Sequence, residues 1–394
     1  MDIDRPCLNG DDARDVEARV ADSSYLNMKD LACIDLFCGA GGLTHGLLSE
    51  GIPVVGGVDL DPMCRHAYET NNEARFIQQD VSRTPPEELR ALYGDVDVRI
   101  LAGCAPCQPF STYAQRYDTT SRPEWTLLRE FARLIEAIRP EIVTMENVPT
   151  VQRHDVYVDF KTTLERLDYH VWDEPVDCTA YGLPQRRTRL VLLASRLGKI
   201  DLVEPTHEAN PMTVREAIER LPPLSAGETH PDDPLHTAAR LSPLNLERIR
   251  ASRPGGTWRD WPEHLRATCH RKASGKTYPS VYGRMEWDAP APTLTTQFFG
   301  YGNGRFGHPE QDRAISLREG AILQGFPESY SFLPEGAPIH FRTLGRMIGN
   351  AVPVTLGKVI GRSIVRHLGT TASAVSLQDL DERDEVGVEA DVAT

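Results

Sequence analysis

From residue 31 to 195, short apolar runs alternate with segments whose apolar residues recur every three or four positions. Those two spacings are the marks of strands and helices. The runs predict strands over Leu31–Phe37, Val54–Val58, Phe76–Gln78, Val96–Leu101, Glu141–Met145, Val171–Val176 and Leu190–Ala194. Between them the spacing predicts helices over Gly42–Glu50, Pro62–Asn71, Pro123–Ile138 and Val158–Leu167; the third is apolar at 127, 128, 131, 134, 135 and 138. Strands that alternate with helices build a parallel sheet covered by helices, so residues 31–195 are expected to form a doubly wound, Rossmann-like α/β domain. After 196 the periodicity breaks at Pro222-Pro223, Pro231, Pro234 and Pro254-Gly255-Gly256, which predicts a smaller, loop-rich second domain over 196–339. Helix-compatible patterns return at 314–324 and 343–366, and no internal repeat is present.

Composition narrows the class. Apolar residues at 40%, with 30 glycines among 394 residues, match an ordinary globular chain. No apolar run approaches the roughly 18 residues of a membrane span, and the start, Met-Asp-Ile-Asp-Arg, lacks the basic and apolar regions of a signal peptide. A soluble cytoplasmic protein is expected, with no membrane partner. The net charge of −14 weighs against a polyanionic partner until it is located along the chain. Residues 1–30 carry eight acids against four bases, and residues 371–394 carry seven acids against Arg383 alone. Both ends, 1–30 and 370–394, therefore read as acidic, solvated, mobile tails. Residues 241–280 instead hold eight Lys or Arg against three acids, which suits either contact with phosphates or a plain solvated surface. The eight cysteines are scattered and expected to be reduced. The close pair Cys104-Ala-Pro-Cys107 has no second pair at ligand spacing, so no metal site is expected.

Four motifs carry chemistry. Asp35-Leu-Phe-Cys-Gly-Ala-Gly-Gly42 follows the first strand and opens a helix, so its glycines let a ligand approach backbone amides at a helix start. A dinucleotide fingerprint would need a third glycine where Thr44 stands. Asp59, twenty residues after Gly39, and Asp80 each close a strand and suit hydroxyl pairs of a ribose, which suggests an adenosine pocket. Gly103-Cys-Ala-Pro-Cys-Gln-Pro-Phe-Ser111 follows a strand at the carboxyl edge, where open α/β sheets bind ligands. Cys107 is thus a candidate nucleophile, with a redox Cys-x-x-Cys as the competing reading. Glu146, in Met-Glu-Asn-Val, ends another strand and could share its pocket. Arg187 and Arg189, in Gln-Arg-Arg-Thr-Arg, fall on one face of the next strand, able to bind an anion or hold a carboxylate.

The ordered set DLFCGAGG, PCQPFS, MENV, QRRTR and IGNAV (Ile348 to Val352) resembles the DNA cytosine-5 methyltransferase family. The resemblance covers about 31–366, and Tyr282-Gly-Arg, Pro292-Thr-Leu-Thr-Thr296 and Gln324-Gly-Phe-Pro327 are similar to its later portion. Residues 200–280 match only in position, as the target-recognition region. The resemblance implies a cofactor, S-adenosylmethionine, and a duplex DNA substrate. It implies that Cys107 adds to C6 of cytosine, that Glu146 acts near N3, and that Arg187 and Arg189 steady base and acid. It implies cofactor contacts from Phe37, the turn of Gly39, Ala40, Gly41 and Gly42, Asp59, Asp80, Val81, Pro106 and Leu127. Asn350 and Val352 would complete the methionine end, so that residues 340–369 return to the first domain. The family often has Glu and an aromatic where this chain has Asp59-Leu60, and Cys104 is an added thiol with no assigned role.

Because a stacked base is out of reach of a thiol, the target cytosine must flip out. Ser111, Arg253, Arg259, Arg271, Lys272 and Lys276 are the expected DNA contacts. The 30 residues before the first motif leave no room for large regulatory domains, so a microbial modification enzyme is expected, either alone or with a separate restriction endonuclease. It is expected to act as a monomer associated with the nucleoid. Three other readings stand beside it. An RNA methylase would carry a Cys-Phe-Thr tripeptide that is absent here. A noncatalytic binder has no need of Cys107, Glu146 and both arginines. A nicotinamide or redox enzyme lacks its third glycine.

Overall fold

The computed structural model of the chain describes residues 31–106, 124–272 and 279–388, with side chains up to Thr371. All seven expected strands form: β1 (Leu31–Leu36), β2 (Val54–Asp59), β3 (Arg75–Gln78), β4 (Val98–Gly103), β5 (Ile142–Asn147), β6 (His170–Asp177) and β7 (Thr188–Ser195). They make one sheet in the order β3-β2-β1-β4-β5-β7-β6. The first five strands pair in parallel, as the alternation predicts. The all-parallel expectation fails at β7, which runs antiparallel to both β5 and β6. The reason is the connection: residues 178–187 form only a short turn between β6 and β7, and a parallel crossover needs a dozen or more residues.

Side chains alternate across the strands and bury both faces. Ala32, Ile34 and Leu36 pack with Leu128, Phe131, Leu134, Ile135 and Ile138 of α4 (Glu124–Ile138) and with α5 (Asp155–Arg166). Leu31 and Cys33 pack on the other face with Leu43 and Leu47 of α1 (Gly42–Ser49) and with Leu356, Ile360 and Ile364 of α10 (Val354–Val388). Two further helices, α2 (Arg65–Asn71) and α3 (Pro86–Tyr93), fill the crossovers beside β3. The helix α10 continues to Val388 where a tail was expected from 370. No proline interrupts that stretch, so nothing in the backbone stops propagation.

Residues 196–339 hold α6 (Val214–Ile218), α7 (Pro243–Arg250) and α8 (Leu317–Leu323) among turns and isolated bridges. They carry a small core of Ile249, Trp258, Trp261, Leu265 and Tyr301. Phe298, Phe326 and Tyr330 share a core with Cys38, Ala40 and Tyr68, so the later part of this stretch packs directly on the first. The helix α9 (Phe341–Asn350) then leads into α10. Among the described residues no helix is long and apolar enough to cross a membrane.

Candidate active site

The turn after β1 is shaped by three left-handed residues, Phe37, Gly39 and Gly41. For Phe37, with φ +59°, that conformation is strained, and it accompanies a ring placed on the wall of a cavity. The Asp59 carboxylate, at the end of β2, pins the turn: Oδ2 accepts from Gly39 N and Oδ1 from Asp61 N, each at 2.9 Å. Burial raises the Asp59 carboxyl above its ordinary range, and those backbone donors pull it back. Tyr330 Oη donates to Ala40 O at 2.6 Å from the far lobe.

The cavity, of about 490 Å³, lies along the carboxyl ends of β1 to β4, within the size range of small-molecule sites. Phe37, Gly39, Ala40, Asp59, Asp80, Val81, Pro106, Leu127, Asn350 and Val352 all line it. Gly41 and Gly42 do not, although backbone contacts were expected there. A Cβ on Gly42 would sit 2.2 Å from Val352 O, so this glycine serves close packing against the α9–α10 turn. Asp80 Oδ1 accepts from Ser82 N and Oγ, and these bonds lower its carboxyl below the usual range. Leu60, which stands where the family often has an aromatic, also lines the cavity, and the sequence reading missed Asp61 and Arg346 there; Arg346 Nη2 meets Asp61 Oδ2 at 2.5 Å. It also assigned no role to Asp35, which is buried. Its Oδ2 accepts from Thr44 Oγ1 at 2.8 Å, while Oδ1 has no hydrogen-bond partner. Burial lifts this carboxyl to about 7, against the Thr44 bond and with help from the Asp59 charge.

Beside the cavity, Glu146 ends β5 almost fully buried. Arg189 Nε approaches its Oε1 at 2.9 Å, and Cys104 Sγ donates to its Oε2 at 2.7 Å. The neighbouring Asn147 donates to Ala105 O at 3.1 Å, tying β5 to the loop that leads toward Cys107. Arg187 is buried, and its guanidinium reaches the carbonyls of Leu294, Gly349 and Ala351 at 3.3–3.4 Å. Cys107 and Ser111 lie outside the described residues.

The profile of C-5 cytosine-specific DNA methylases matches residues 31–366. The chain belongs to that family. The methylase is 55% identical over 341 residues to Type II methylase M.HgiDII of Herpetosiphon aurantiacus, spanning 86% of this chain and 96% of that one. It is 31% identical to Type II methyltransferase M.Eco47II of Escherichia coli, over 88% of this chain and 82% of that one. The solved structure of a DNA modification methyltransferase encoded within an Escherichia coli prophage superposes with a TM-score of 0.66 at 22% identity, over 86% of this chain and 99% of that one. The methylase is an S-adenosylmethionine-dependent enzyme acting on DNA cytosine.

In this methylase the later motifs meet at a buried glutamine pair. Gln185 Nε2 donates to Gln324 Oε1 at 2.8 Å, Gln185 Oε1 accepts from Leu294 N at 2.9 Å, and Gln324 Nε2 donates to Ala351 O at 2.6 Å. One joint thus holds the start of β7, the 290s loop, α8 and the α9–α10 turn. The basic stretch is partly consumed by structure. Arg248 donates to Leu265 O and lies over Trp261 and Tyr282, Arg250 pairs with Asp312, and Arg253 reaches Asp260 at 3.6 Å. Arg259 and Arg271 line a surface pocket, Lys272 is exposed, and Lys276 lies outside the described residues.

Proposed function

We propose that this methylase modifies C5 of a flipped-out cytosine in a short fixed sequence of duplex DNA, as the modification partner of a separately acting restriction endonuclease. The observation that carries the reading is the Glu146–Arg189–Cys104 cluster set against the cofactor cavity, at the loop whose Pro106 precedes Cys107.

The cavity fits S-adenosylmethionine on its own chemistry. Its walls are largely apolar, the Asp59 carboxylate at its edge is an acceptor for ribose hydroxyls, and the partnerless Oδ1 of Asp35 suits a cationic group. In this reading Phe37, Val81 and Leu127 flank the adenine with Asp80, while Asn350 and Val352 close the methionine end. The bound cofactor supplies an electrophilic methyl group. Cys107 adds as thiolate to C6 of cytosine, and Glu146 delivers a proton at N3 as the ring gains charge, which makes C5 nucleophilic. Arg189 orients Glu146. Arg187 acts at one remove, by clamping the turn that bears Asn350 and Val352. After C5 is methylated, loss of its proton expels the thiolate.

Incubation with labelled S-adenosylmethionine and mixed-sequence duplex DNA, followed by base-resolution mapping, tests this. Label at cytosine C5 in one short context, absent with Cys107→Ala, is the expected result. Label on RNA alone, or turnover in Cys107→Ala, overturns it.

A further inference from the structure

The second lobe contains a pocket lined by Trp258, Arg259, Glu263, Arg266, His270 and Arg271. Three guanidiniums face one carboxylate there, an excess of positive charge in a chain of net charge −14. Two of its polar atoms are buried without a hydrogen-bond partner: Arg266 Nε and His270 Nδ1. A buried donor left unmade costs on the order of 1–3 kcal/mol, and Arg266 Nε is such a donor in the wall of this pocket. His270 is buried at 4% exposure. Burial and the Arg248 charge lower its pKa, so the neutral ring has a single N–H to give.

The same residues are fixed in place before any ligand arrives. Arg266 Nη2 donates to Arg259 O at 2.7 Å, and Arg271 Nη2 donates to Glu263 O at 3.1 Å. The two bonds hold the 259–271 turn and preset two guanidiniums. The pocket is unsuited to a stacked base. Trp258 carries His270 nearly parallel at 4.2 Å, and the Arg259 guanidinium lies over its ring at 5.6 Å, so the ring is already engaged, and stacking needs an open aromatic face. What remains is a set of N–H donors suited to a tetrahedral anion.

We propose that Arg259, Arg266, Arg271 and His270 form a subsite for one backbone phosphate of the duplex DNA substrate. The subsite rests on the reading of the chain as a duplex DNA methylase. It positions the DNA without reading sequence, because phosphates carry no base identity.

The test is the salt dependence of binding to a fixed duplex, measured for the parent and for Arg266→Gln, Arg271→Gln and His270→Phe, with melting temperature and cofactor binding as checks on folding. Each arginine variant is expected to make the slope of log K against log salt shallower by about one. That corresponds to a salt response between 0.05 and 0.2 M smaller by about fourfold. A methylphosphonate scan of the duplex then locates the contact: at one position the neutral linkage weakens the parent and leaves Arg266→Gln unaffected, a coupling that a merely loosened turn would not produce. Parent-like slopes in all three variants overturn the subsite while leaving the methylase reading intact. A changed target context at unchanged slope overturns it in favour of a base contact. A parent that binds no duplex DNA overturns both the subsite and the reading it rests on.

Discussion

At the scale of single residues, the site is a set of carboxylates whose partners fix their work. Glu146 is held from two sides, by Arg189 and by Cys104. Removing the thiol with Cys104→Ala is expected to slow single-turnover methyl transfer by about tenfold, the loss of one hydrogen bond to a charged group, with Cys104→Ser restoring most of it. Equal rates in Cys104→Ala and the parent would show that the thiol does not orient the acid. Asp35 poses the opposite problem, a carboxyl lifted to about 7 chiefly by burial. A cation bound there favours the ionised form, so cofactor affinity is expected to rise as pH increases through about 7. Titration calorimetry at pH 6 and pH 8 reads this directly, and Asp35→Asn should remove the dependence.

At the scale of elements, the direction of β7 matters most. Running antiparallel, it begins at the carboxyl edge of the parallel strands, which is why Arg189 lies across from Val176 of β6 and close to Glu146. In an all-parallel sheet the start of this strand, and both arginines with it, would lie at the far edge. The packing of α1 against α10 is the second element-level device. The helices cross at Gly46 and Gly357, where a Cβ on Gly46 would sit 2.5 Å from the Gly357 carbonyl carbon. Gly46→Ala must push the backbone of α10 away, at about 2 kcal/mol. A lower melting temperature together with weaker cofactor binding is expected, because α10 follows directly on the turn bearing Val352. A variant as stable as the parent would show that the helices tolerate separation.

At the scale of the whole molecule, buried polar groups inside the second lobe set the response to acid. Arg313 makes two 2.7 Å bonds to Glu319, and His308 Nδ1 accepts from Glu310 N and Gln311 N. Burial, with the Arg313 and Arg284 charges, lowers His308 from 6.5 to about 4, against the pull of Glu319. Its stabilising contribution is therefore complete above pH 6.5 and lost as pH falls toward 4. Burial pushes Glu319 up, but the Arg313 bonds and charge outweigh it and hold the carboxyl at about 2, so its contribution fades only below pH 4.5. Denaturant midpoints are expected to drop between pH 6.5 and 4, and His308→Gln should flatten that limb. An unchanged pH response in the variant would assign the loss to another group.

Local spacing was enough to place seven strands and four of the five α-helices between them, because strand and helix periods are written in consecutive residues; the helix α3 (Pro86–Tyr93) was not among those predicted. Positions of the chemistry-bearing residues were legible for the same reason: Asp59 and Glu146 lie at strand ends, Asp80 just beyond one and Arg189 near a strand start, along the sheet edge that faces ligands in this architecture. The chain order alone did not reveal partners distant in sequence. That Arg187 clamps the α9–α10 turn, that Gly42 meets Val352, that Cys104 reaches Glu146 and that Arg248 is spent on its own lobe are all contacts between separate segments. Tertiary packing decides them, since a buried donor takes whichever acceptor the fold brings near, and no local pattern encodes which one that is.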